Sequence, residues 1–157
     1  MAALSALAAA PAAAQTIGNG TLLVASPQLT DVNFARSVVL VLQNDEDGAV
    51  GVVLNRPTNL VPATVFPELA EGIGSYDGHL FRGGPIAPSR LIYLVRGLAA
   101  ATVNGPEVLD KVYLSVEDDA LPEMGRLADV TDELRLSAGH AAWGPGHLQA
   151  ATHAGGW

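Results

Sequence analysis

The hydrophobic pattern is densest in two apolar runs, Ser37–Gln43 and Val50–Asn55, which flank the polar segment Asn44–Gly48. An Asp-Gly pair between runs rich in β-branched residues predicts a β-hairpin. Both runs consist almost entirely of Val and Leu instead of alternating with polar residues, so both faces of the two strands are expected to be covered. The hairpin is therefore predicted to lie at the centre of the core.

The rest of the chain predicts further short strands. The candidates are apolar or alternating segments, namely Thr21–Ala25, His79–Arg82, Leu91–Arg96, Lys111–Val116 and Leu134–Ala138. The last of these alternates apolar and polar residues, which predicts a half-exposed strand. The Asn104-Gly105 pair predicts a turn ahead of the fourth candidate.

Two segments have a helical pattern. Apolar residues recur at helical spacing within Leu60–Leu69, and Pro62 stands where a helix can begin. Pro67 lacks a backbone donor, so this helix is expected to be short or to start late. A last helix is predicted at His147–Ala154, and Glu117–Leu127 is acidic and partly helical in pattern. Many short strands with few helices predict a single α+β domain.

Composition and charge exclude several classes of function. The chain has 157 residues, about one domain's worth, and its 49% hydrophobic and 15% charged residues are typical of a compact globular domain. The net charge of −8 repels a phosphate backbone, so direct binding of nucleic acid is not expected. The absence of cysteine excludes a disulfide framework, a thiolate nucleophile and cysteine-ligated metal sites.

Residues 1–18 form a segment ahead of the predicted domain at residues 19–157. Residues 1–14 are uncharged and alanine-rich and end in Ala12-x-Ala14, which resembles the hydrophobic region and cleavage site of a secretory signal. The basic residues that open such signals are missing, so a disordered tail is the alternative. The signal interpretation predicts export to the periplasm. After residue 20, no apolar stretch reaches the roughly 20 residues of a membrane-spanning helix, so no span is expected.

Asp31, Arg36 and Ser37 stand together in a segment that follows Pro27. The aspartate and the arginine could pair with each other, bind an anionic ligand through the guanidinium, or serve as acid and base. The structural alternative is that the carboxylate caps a turn, the arginine ties the loop to the hairpin, and Ser37 begins a strand.

Two more polar motifs end predicted strands, Asn55-Arg56-Pro57 and Gly83-Gly84-Pro85. Two arginines, Arg36 and Arg56, beside the backbone amides of a glycine pair would form an anion site. The structural alternative is that the asparagine satisfies backbone groups at a strand end and that the glycines form a tight turn. The chain contains neither a Gly-x-Gly-x-x-Gly motif nor a nucleotide-binding loop that ends in Gly-Lys-Ser/Thr.

The other polar clusters predict neither a metal site nor a cofactor site. The acidic segment Asp45–Gly48 lacks the flanking acids of an EF-hand loop, so it is predicted to be a solvated hairpin tip. His140, His147 and His153 lie seven and six residues apart, whereas zinc-binding helices place histidines about one turn apart. Trp143 is predicted to fill the core. We therefore expect no metal and no cofactor.

Four ordered motifs resemble the signature of the bacterial YqgE/AlgH family. They cover roughly residues 19–157, and they are specific because their order matches as well as their residues. The motifs are Gly20-x-Leu22-Leu23-Val24-Ala25-x-Pro27-x-Leu29-x-Asp31-x-x-Phe34-x-Arg36-Ser37-Val38-Val39, Gly48-Ala49-x-Gly51-x-x-x-Asn55-Arg56-Pro57, Gly83-Gly84-Pro85 and Gly139-x-Ala141-x-Trp143-x-x-Gly146-x-Leu148.

The resemblance implies a barrel-containing α+β fold, with a curved, mostly antiparallel, barrel-like β-sheet and a few short helices packed outside. It implies little about mechanism, because the family has no settled biochemical activity and was once labelled a transcriptional regulator of exopolysaccharide synthesis. Members usually begin at the Gly-x-Leu-Leu strand and look cytoplasmic. This chain departs from them in its signal-like N-terminus, in His147 where members have glutamine, and in ending at Trp157 where members continue.

Two main functions follow from these residues. The first is a non-catalytic binding or regulatory domain, whose partner is an unknown protein or a small anionic ligand and whose regulatory effect is exerted through protein contacts. The second is an enzyme acting on a small anionic metabolite, with Arg36 and Arg56 as clamps and Asp31 as general base. A scaffold that associates through an exposed hairpin face is a third option. The candidate ligand-binding residues are Pro27, Asp31, Phe34, Arg36, Ser37, Asn55, Arg56, Gly83, Gly84 and Pro85.

Overall fold

The computed structural model describes residues 16–70, 76, 78–97, 105–117 and 134–157. Within these residues it confirms the α+β class, with eight strands in a curled, mostly antiparallel sheet that forms a half-barrel, and with two short helices. The strands are β1 (Leu22–Val24), β2 (Val38–Asp45), β3 (Gly48–Val53), β4 (Leu80–Arg82), β5 (Ile86–Arg96), β6 (Glu107–Leu109), β7 (Val112–Ser115) and β8 (Leu134–Trp143). The helices are α1 (Pro62–Val65) and α2 (His147–His153), with a 3-10 turn (Pro67–Leu69) after α1.

Strand β8 connects the two halves of the sheet, whose strand order is β1-β2-β3-β8-β5-β7-β6. β5 runs antiparallel along one edge of β8, with Tyr93 opposite Leu136. β4 lies parallel to β8 on the other edge, with Phe81 opposite Ser137. β3 pairs antiparallel with the end of β8. Within the sheet, the pairing of β3 with β8 joins the hairpin to the second half of the chain.

The predicted hairpin is confirmed. β2 and β3 pair antiparallel from Val39, opposite Val53, to the tip, where Glu46 and Asp47 lie between the two strands. The Asp45 carboxylate accepts a hydrogen bond from the backbone N–H of Asp47 at 2.9 Å, which closes the tip. The turn is thus shorter than the polar segment from which it was predicted.

Both faces of the hairpin are covered, as predicted. One face packs against Leu148 of α2, and the other packs against Ile92 and Leu94 of β5. Burying an aliphatic side chain contributes roughly 1.5–3 kcal/mol of transfer free energy, so the hairpin supplies a large part of the core. This burial also removes the exposed face that a hairpin-mediated scaffold would use. The fully buried hairpin residues are Val39, Leu40, Val41, Val52 and Val53.

β8 differs from its prediction in both length and burial. The alternating pattern predicted a short, half-exposed strand, whereas the strand extends to Trp143. Leu134, Leu136 and Ser137 are buried, and Arg135 is half-buried. The physical reason is that β8 is paired along both edges and packed against the core, so its polar residues are covered along with its apolar ones.

Two other strands also differ from the pattern. β5 begins at Ile86 rather than at Leu91, and its pairing with β8 shifts register between these two residues. The exposed residues of that first part carry no alternation from which a strand could be predicted. β6 was not predicted, because three residues between Pro106 and Asp110 are too few to establish a period.

The helix expected within residues 60–69 is reduced to a single turn. α1 ends before Pro67, which cannot donate a backbone hydrogen bond, and the 3-10 turn takes its place. The apolar residues that suggested a longer helix do not share a buried face, because Leu60, Val61 and Val65 are exposed. The predicted C-terminal helix is confirmed as α2.

Some predictions concern residues outside the described ranges. These are the signal-like segment at residues 1–14, Asn104 of the predicted turn, and the acidic stretch after Glu117. In the ranges that are described, every helix is too short or too polar to cross a membrane.

Candidate functional site

A tight turn at residues 31–36 links β1 to the hairpin and organises the candidate site. The Asp31 carboxylate accepts a hydrogen bond from the Asn33 backbone N–H at 2.8 Å, a common way for aspartate to begin a turn. The turn closes at Ser37, which is buried and donates its hydroxyl and its N–H to the Phe34 carbonyl at 2.7 and 3.0 Å. Asp31 and Ser37 therefore both hold the local backbone.

Arg36 ends this turn in a left-handed backbone conformation, with φ of 57°. A residue with a Cβ atom adopts this conformation at a cost of roughly 1–2 kcal/mol, so the surrounding contacts must favour it. Asn55, which follows β3, supplies two of them. Its Nδ2 donates to the Arg36 carbonyl at 2.9 Å, and its Oδ1 accepts from the Val38 backbone N–H at 2.8 Å. Asn55 thereby fixes the point at which the chain enters β2.

Arg56 holds the same turn from the next position. Its guanidinium donates to the carbonyls of Val32 at 3.2 Å and Ala35 at 3.0 Å. The Arg56 carbonyl in turn accepts the backbone N–H of Arg82, which connects the turn to β4. We call Asp31, Arg36, Ser37, Asn55 and Arg56 together the polar corner.

Gly83 and Gly84 allow close contact between backbones. A Cβ atom on Gly83 would lie 2.1 Å from the carbonyl oxygen of Gly139, and one on Gly84 would lie 2.1 Å from the carbonyl carbon of His140. The Gly83 N–H donates to the Ala138 carbonyl at 2.8 Å. The backbone N–H of Gly83 is therefore already hydrogen-bonded to β8. This favours the structural alternative, in which the glycine pair forms a tight turn.

The glycine turn does come close to the polar corner. Arg56, Gly84 and Pro85 line one depression together with Asn33 and other neighbours, but it holds no space even for a water molecule. The arginine and the glycine turn are thus neighbours, and the surface between them is shallow.

The remaining candidate residues point elsewhere. Phe34 stacks on Trp143 at 5.6 Å between ring centroids and meets the edge of Trp157 at 5.8 Å, so its ring belongs to an aromatic cluster of the core. Trp143 was predicted to fill the core, and it is half-buried and packs against a core cluster. Pro27 is exposed in the turn that follows β1.

Among the residues that the structure describes, neither Asp31 nor Arg36 forms an ion pair, and both are exposed.

A larger space, which we call the apolar cavity, lies elsewhere on the sheet and was missed by sequence reasoning. Its volume is about 490 Å³. Its aliphatic walls come from six different strands or strand ends, and its polar lining includes His79, Arg96 and Arg135. The only cue to this cavity in the sequence was the position of Arg96 and Arg135 next to apolar residues of β5 and β8. The aliphatic lining residues are Leu40, Leu54, Leu94, Leu109, Val112 and Leu134.

Arg135 joins the apolar cavity to the end of the hairpin. Its guanidinium donates to the Leu54 carbonyl at 2.7 Å and lies over the ring of Phe81, 4.4 Å from the ring centroid. A guanidinium over an aromatic face is attracted by the negative charge of that face. Arg135 therefore presents a partly desolvated positive charge at the cavity.

Two groups have shifted proton affinities. A hydrogen bond from the Gln43 side chain and another from the Asp47 backbone lower the pKa of Asp45 at the hairpin tip. Burial, and secondarily the positive charge of Arg90, lowers the pKa of His140. In the described part of the chain, no three His, Cys, Asp or Glu side chains are grouped where they could hold a metal ion.

The fold and the polar corner define an α+β domain built on a curled sheet with a rigid, charged turn at the entry to its central hairpin. Residues 22–157 match the AlgH-like family over nearly the whole domain. The chain belongs to the AlgH-like family, which confirms the resemblance found in its motifs.

Relatives in other bacteria support this assignment. A UPF0301 protein of Streptomyces coelicolor is 38% identical over 148 residues, which is 88% of this chain and 72% of that protein. A UPF0301 protein of Myxococcus xanthus is 37% identical over 138 residues, which is 87% of this chain and 74% of that protein.

Two solved structures share the fold. A crystal structure of a Corynebacterium diphtheriae protein superposes with a TM-score of 0.75 at 28% identity, covering 93% of this chain and 76% of that one. The solution structure of the AlgH protein from Pseudomonas aeruginosa superposes with a TM-score of 0.63 at 26% identity, covering 87% of this chain and 72% of that one.

Proposed function

We propose that this chain is a non-catalytic binding or regulatory domain that engages a protein partner through the polar corner. The observation that carries the proposal is that some side chains of the corner hold the turn, whereas others expose their charge to solvent. Asn55 and Arg56 use their side chains to fix the turn. One oxygen of the Asp31 carboxylate also accepts the Asn33 N–H, while the rest of that carboxylate and the Arg36 side chain remain exposed. A backbone that is already ordered loses less entropy on binding, so opposite charges carried on this turn suit recognition by a complementary protein.

The geometry offers less support for a reaction at the same place. Catalysis requires a substrate held within reach of its base and clamps, in a space from which water is excluded. The depression beside Arg56 has no room for a water molecule, and the Arg56 guanidinium is engaged with two backbone carbonyls. An accessible surface of this kind is better suited to docking.

The net charge of −8 supports a protein partner in preference to DNA. A regulatory effect of this domain would then be exerted through contacts with another protein. The exposed charges of the corner are those of Asp31 and Arg36, and Val32, which follows Asp31 in the chain, is also exposed.

An enzyme acting on a small anionic metabolite is the second candidate, with Arg36 and Arg56 as clamps and Asp31 as base. The observation in its favour is that the Arg36 guanidinium is exposed and forms no ion pair within the described part of the chain. A thermal-shift screen against acidic metabolites, run with the native chain and with Arg36→Ala, tests this alternative. Stabilisation of the native chain alone would favour an anion site at the corner.

The experiment for partner binding is affinity capture from an extract of the host bacterium, followed by titration calorimetry with the purified partner. Asp31→Asn and Arg36→Gln remove the exposed charges and keep the contacts that hold the turn, because the asparagine side chain retains an oxygen that can accept the Asn33 N–H. Arg90→Gln is the matched control, since Arg90 is exposed on β5 and outside the corner. We expect each corner variant to weaken binding about tenfold and the control to leave it unchanged. Equal binding by all three variants would refute the proposal.

A further inference from the structure

We propose that the apolar cavity is a binding site for a free amphipathic anion, an acyl chain that carries a carboxylate. This site is separate from the polar corner, and the two sets of residues have no member in common. The inference is therefore independent of the partner-binding proposal.

The size and the walls of the apolar cavity suit an acyl chain. Its volume of about 490 Å³ lies within the roughly 300–1,000 Å³ of small-molecule sites. Leu40, Leu94 and Leu134 are buried members of the core that also line it, so its floor is held rigidly by the sheet. Leu109 lines the cavity and is 39% exposed. A ligand that covers these side chains gains the free energy of removing apolar surface from water.

The charge of the lining selects an anion. Arg96 and Arg135 both line the cavity, and none of the lining residues that the structure describes is acidic. The whole chain, in contrast, has 16 acidic and 8 basic residues. The described part of the lining, with two arginines and no carboxylate, is therefore opposite in sign to the net charge of the chain. Such a local field favours negative ligands and disfavours positive ones.

Arg135 provides a partner for the carboxylate. Within the described ranges its guanidinium donates one hydrogen bond, to the Leu54 carbonyl, and one of its faces covers Phe81. Arginine carries five N–H donors, so the guanidinium can still bind a carboxylate. Because Arg135 is half-buried, such a charge-assisted bond is stronger than it would be in bulk water. Arg96 is exposed and can approach the same anion from the open side.

The test is titration calorimetry of the full chain with sodium decanoate, with octanoate as the shorter homologue and decyltrimethylammonium as the cationic amphiphile of equal chain length. We expect decanoate to bind at one site and octanoate to bind more weakly, by about fourfold for each methylene removed. The cationic amphiphile is expected not to bind. Equal binding of the cationic and anionic amphiphiles, or no binding of decanoate, would overturn the proposal.

Variants locate the ligand in the cavity. Arg96→Gln is expected to weaken decanoate binding about tenfold, and Leu109→Glu, which places a carboxylate in the lining, is expected to abolish it. Both residues are exposed, so the fold should tolerate these changes, whereas Arg135 supports the backbone and is left intact. Arg90→Gln removes one charge from the same strand as Arg96 and should bind as the native chain does. Unchanged binding by Arg96→Gln and Leu109→Glu would refute the assignment.

A membrane surface could present the same chemistry, so a second arm separates the two sources. The chain is sedimented with vesicles of phosphatidylglycerol, with and without decanoate. Free-ligand recognition predicts decanoate binding with no sedimentation of the protein. Sedimentation with vesicles, together with no binding of free decanoate, would overturn the proposal in favour of a lipid surface.

Discussion

The Nδ2 atom of Asn55 donates a hydrogen bond to the carbonyl of Arg36 at 2.9 Å, and it thereby ties the exit of β3 to a residue with left-handed backbone geometry. The same amide accepts the Val38 N–H on the adjoining strand. One side chain thus holds the turn and the first residue of the hairpin together. This contact is one of several that hold the polar corner.

Replacing Asn55 should loosen that corner. Asn55→Ala removes two hydrogen bonds, each of which contributes about 0.5–1.5 kcal/mol, so the free energy of unfolding should fall by about 1–3 kcal/mol. Urea denaturation measures the change. Asn59→Ala is the control, since Asn59 is exposed and outside the corner, and it should remain within about 0.5 kcal/mol of the native chain. Equal stabilities of the two variants would show that the hydrogen bonds of the Asn55 side chain contribute nothing to stability.

The geometry of Arg56 predicts that lysine cannot replace it. The planar guanidinium reaches two carbonyls from two nitrogens, whereas the lysine ammonium is a single point of charge. Arg56→Lys should therefore lower the free energy of unfolding by about 1 kcal/mol. A double-mutant cycle with Asn55→Ala should give a coupling of about 0.5 kcal/mol or more, because both residues hold one turn. Strict additivity would argue against a shared role.

Arg36 allows the backbone and the side chain to be tested separately. Glycine adopts positive φ without penalty. The free energy of unfolding of Arg36→Gly should therefore be equal to that of the native chain or higher by up to about 1 kcal/mol. Arg36→Ala keeps a Cβ atom and should be the less stable of the two. Under the proposed function, both variants should bind the partner about tenfold more weakly than the native chain does. A glycine variant less stable than the alanine variant would contradict the strain at this position.

The close contact at Gly83 predicts a severe defect. A Cβ atom 2.1 Å from the Gly139 carbonyl oxygen forces β4 and β8 apart, so Gly83→Ala should cost about 3 kcal/mol or more. Gly18→Ala is the matched control, since a Cβ atom there meets nothing within 4 Å. Thermal unfolding in buffer free of phosphate measures both variants. If the Gly83 variant were as stable as the control, the glycine pair would need a role other than packing.

The lowered pKa of His140 predicts a stability change at mildly acidic pH. Burial and Arg90 both favour the neutral ring in the folded state, so the unfolded chain binds a proton more readily. The contribution of the neutral His140 ring to the free energy of unfolding is complete above pH 6.5, the usual histidine pKa. It is lost as the pH falls below 6.5 and through the pKa of His140 in the folded state. Urea denaturation between about pH 5 and pH 8 should show this slope, and His140→Gln should lack it. A ring that titrates at 6.5 or above by NMR would contradict the prediction.

The sequence was sufficient for features that depend on local contacts. The apolar runs and the Asp-Gly pair between them were enough to predict the hairpin, because neighbouring residues form it. The family motifs then located the polar corner, and the hairpin itself brings Asn55 to Arg36 across 19 positions of sequence. The short α1 followed from Pro67, whose missing N–H is a property of one residue.

Tertiary structure alone decided the rest. The burial of β8 depends on pairing along both of its edges, and the need for glycine at position 83 depends on a backbone that lies 56 positions further on, at Gly139. The lining of the apolar cavity brings together Leu54 and Arg135, which are 81 positions apart in the chain. Such contacts are set by how the sheet curls and which strands meet, and the period of a single segment carries no record of its distant neighbours. Local chemistry therefore determined the hairpin and its turn, whereas long-range packing determined which surfaces are shallow and which enclose space.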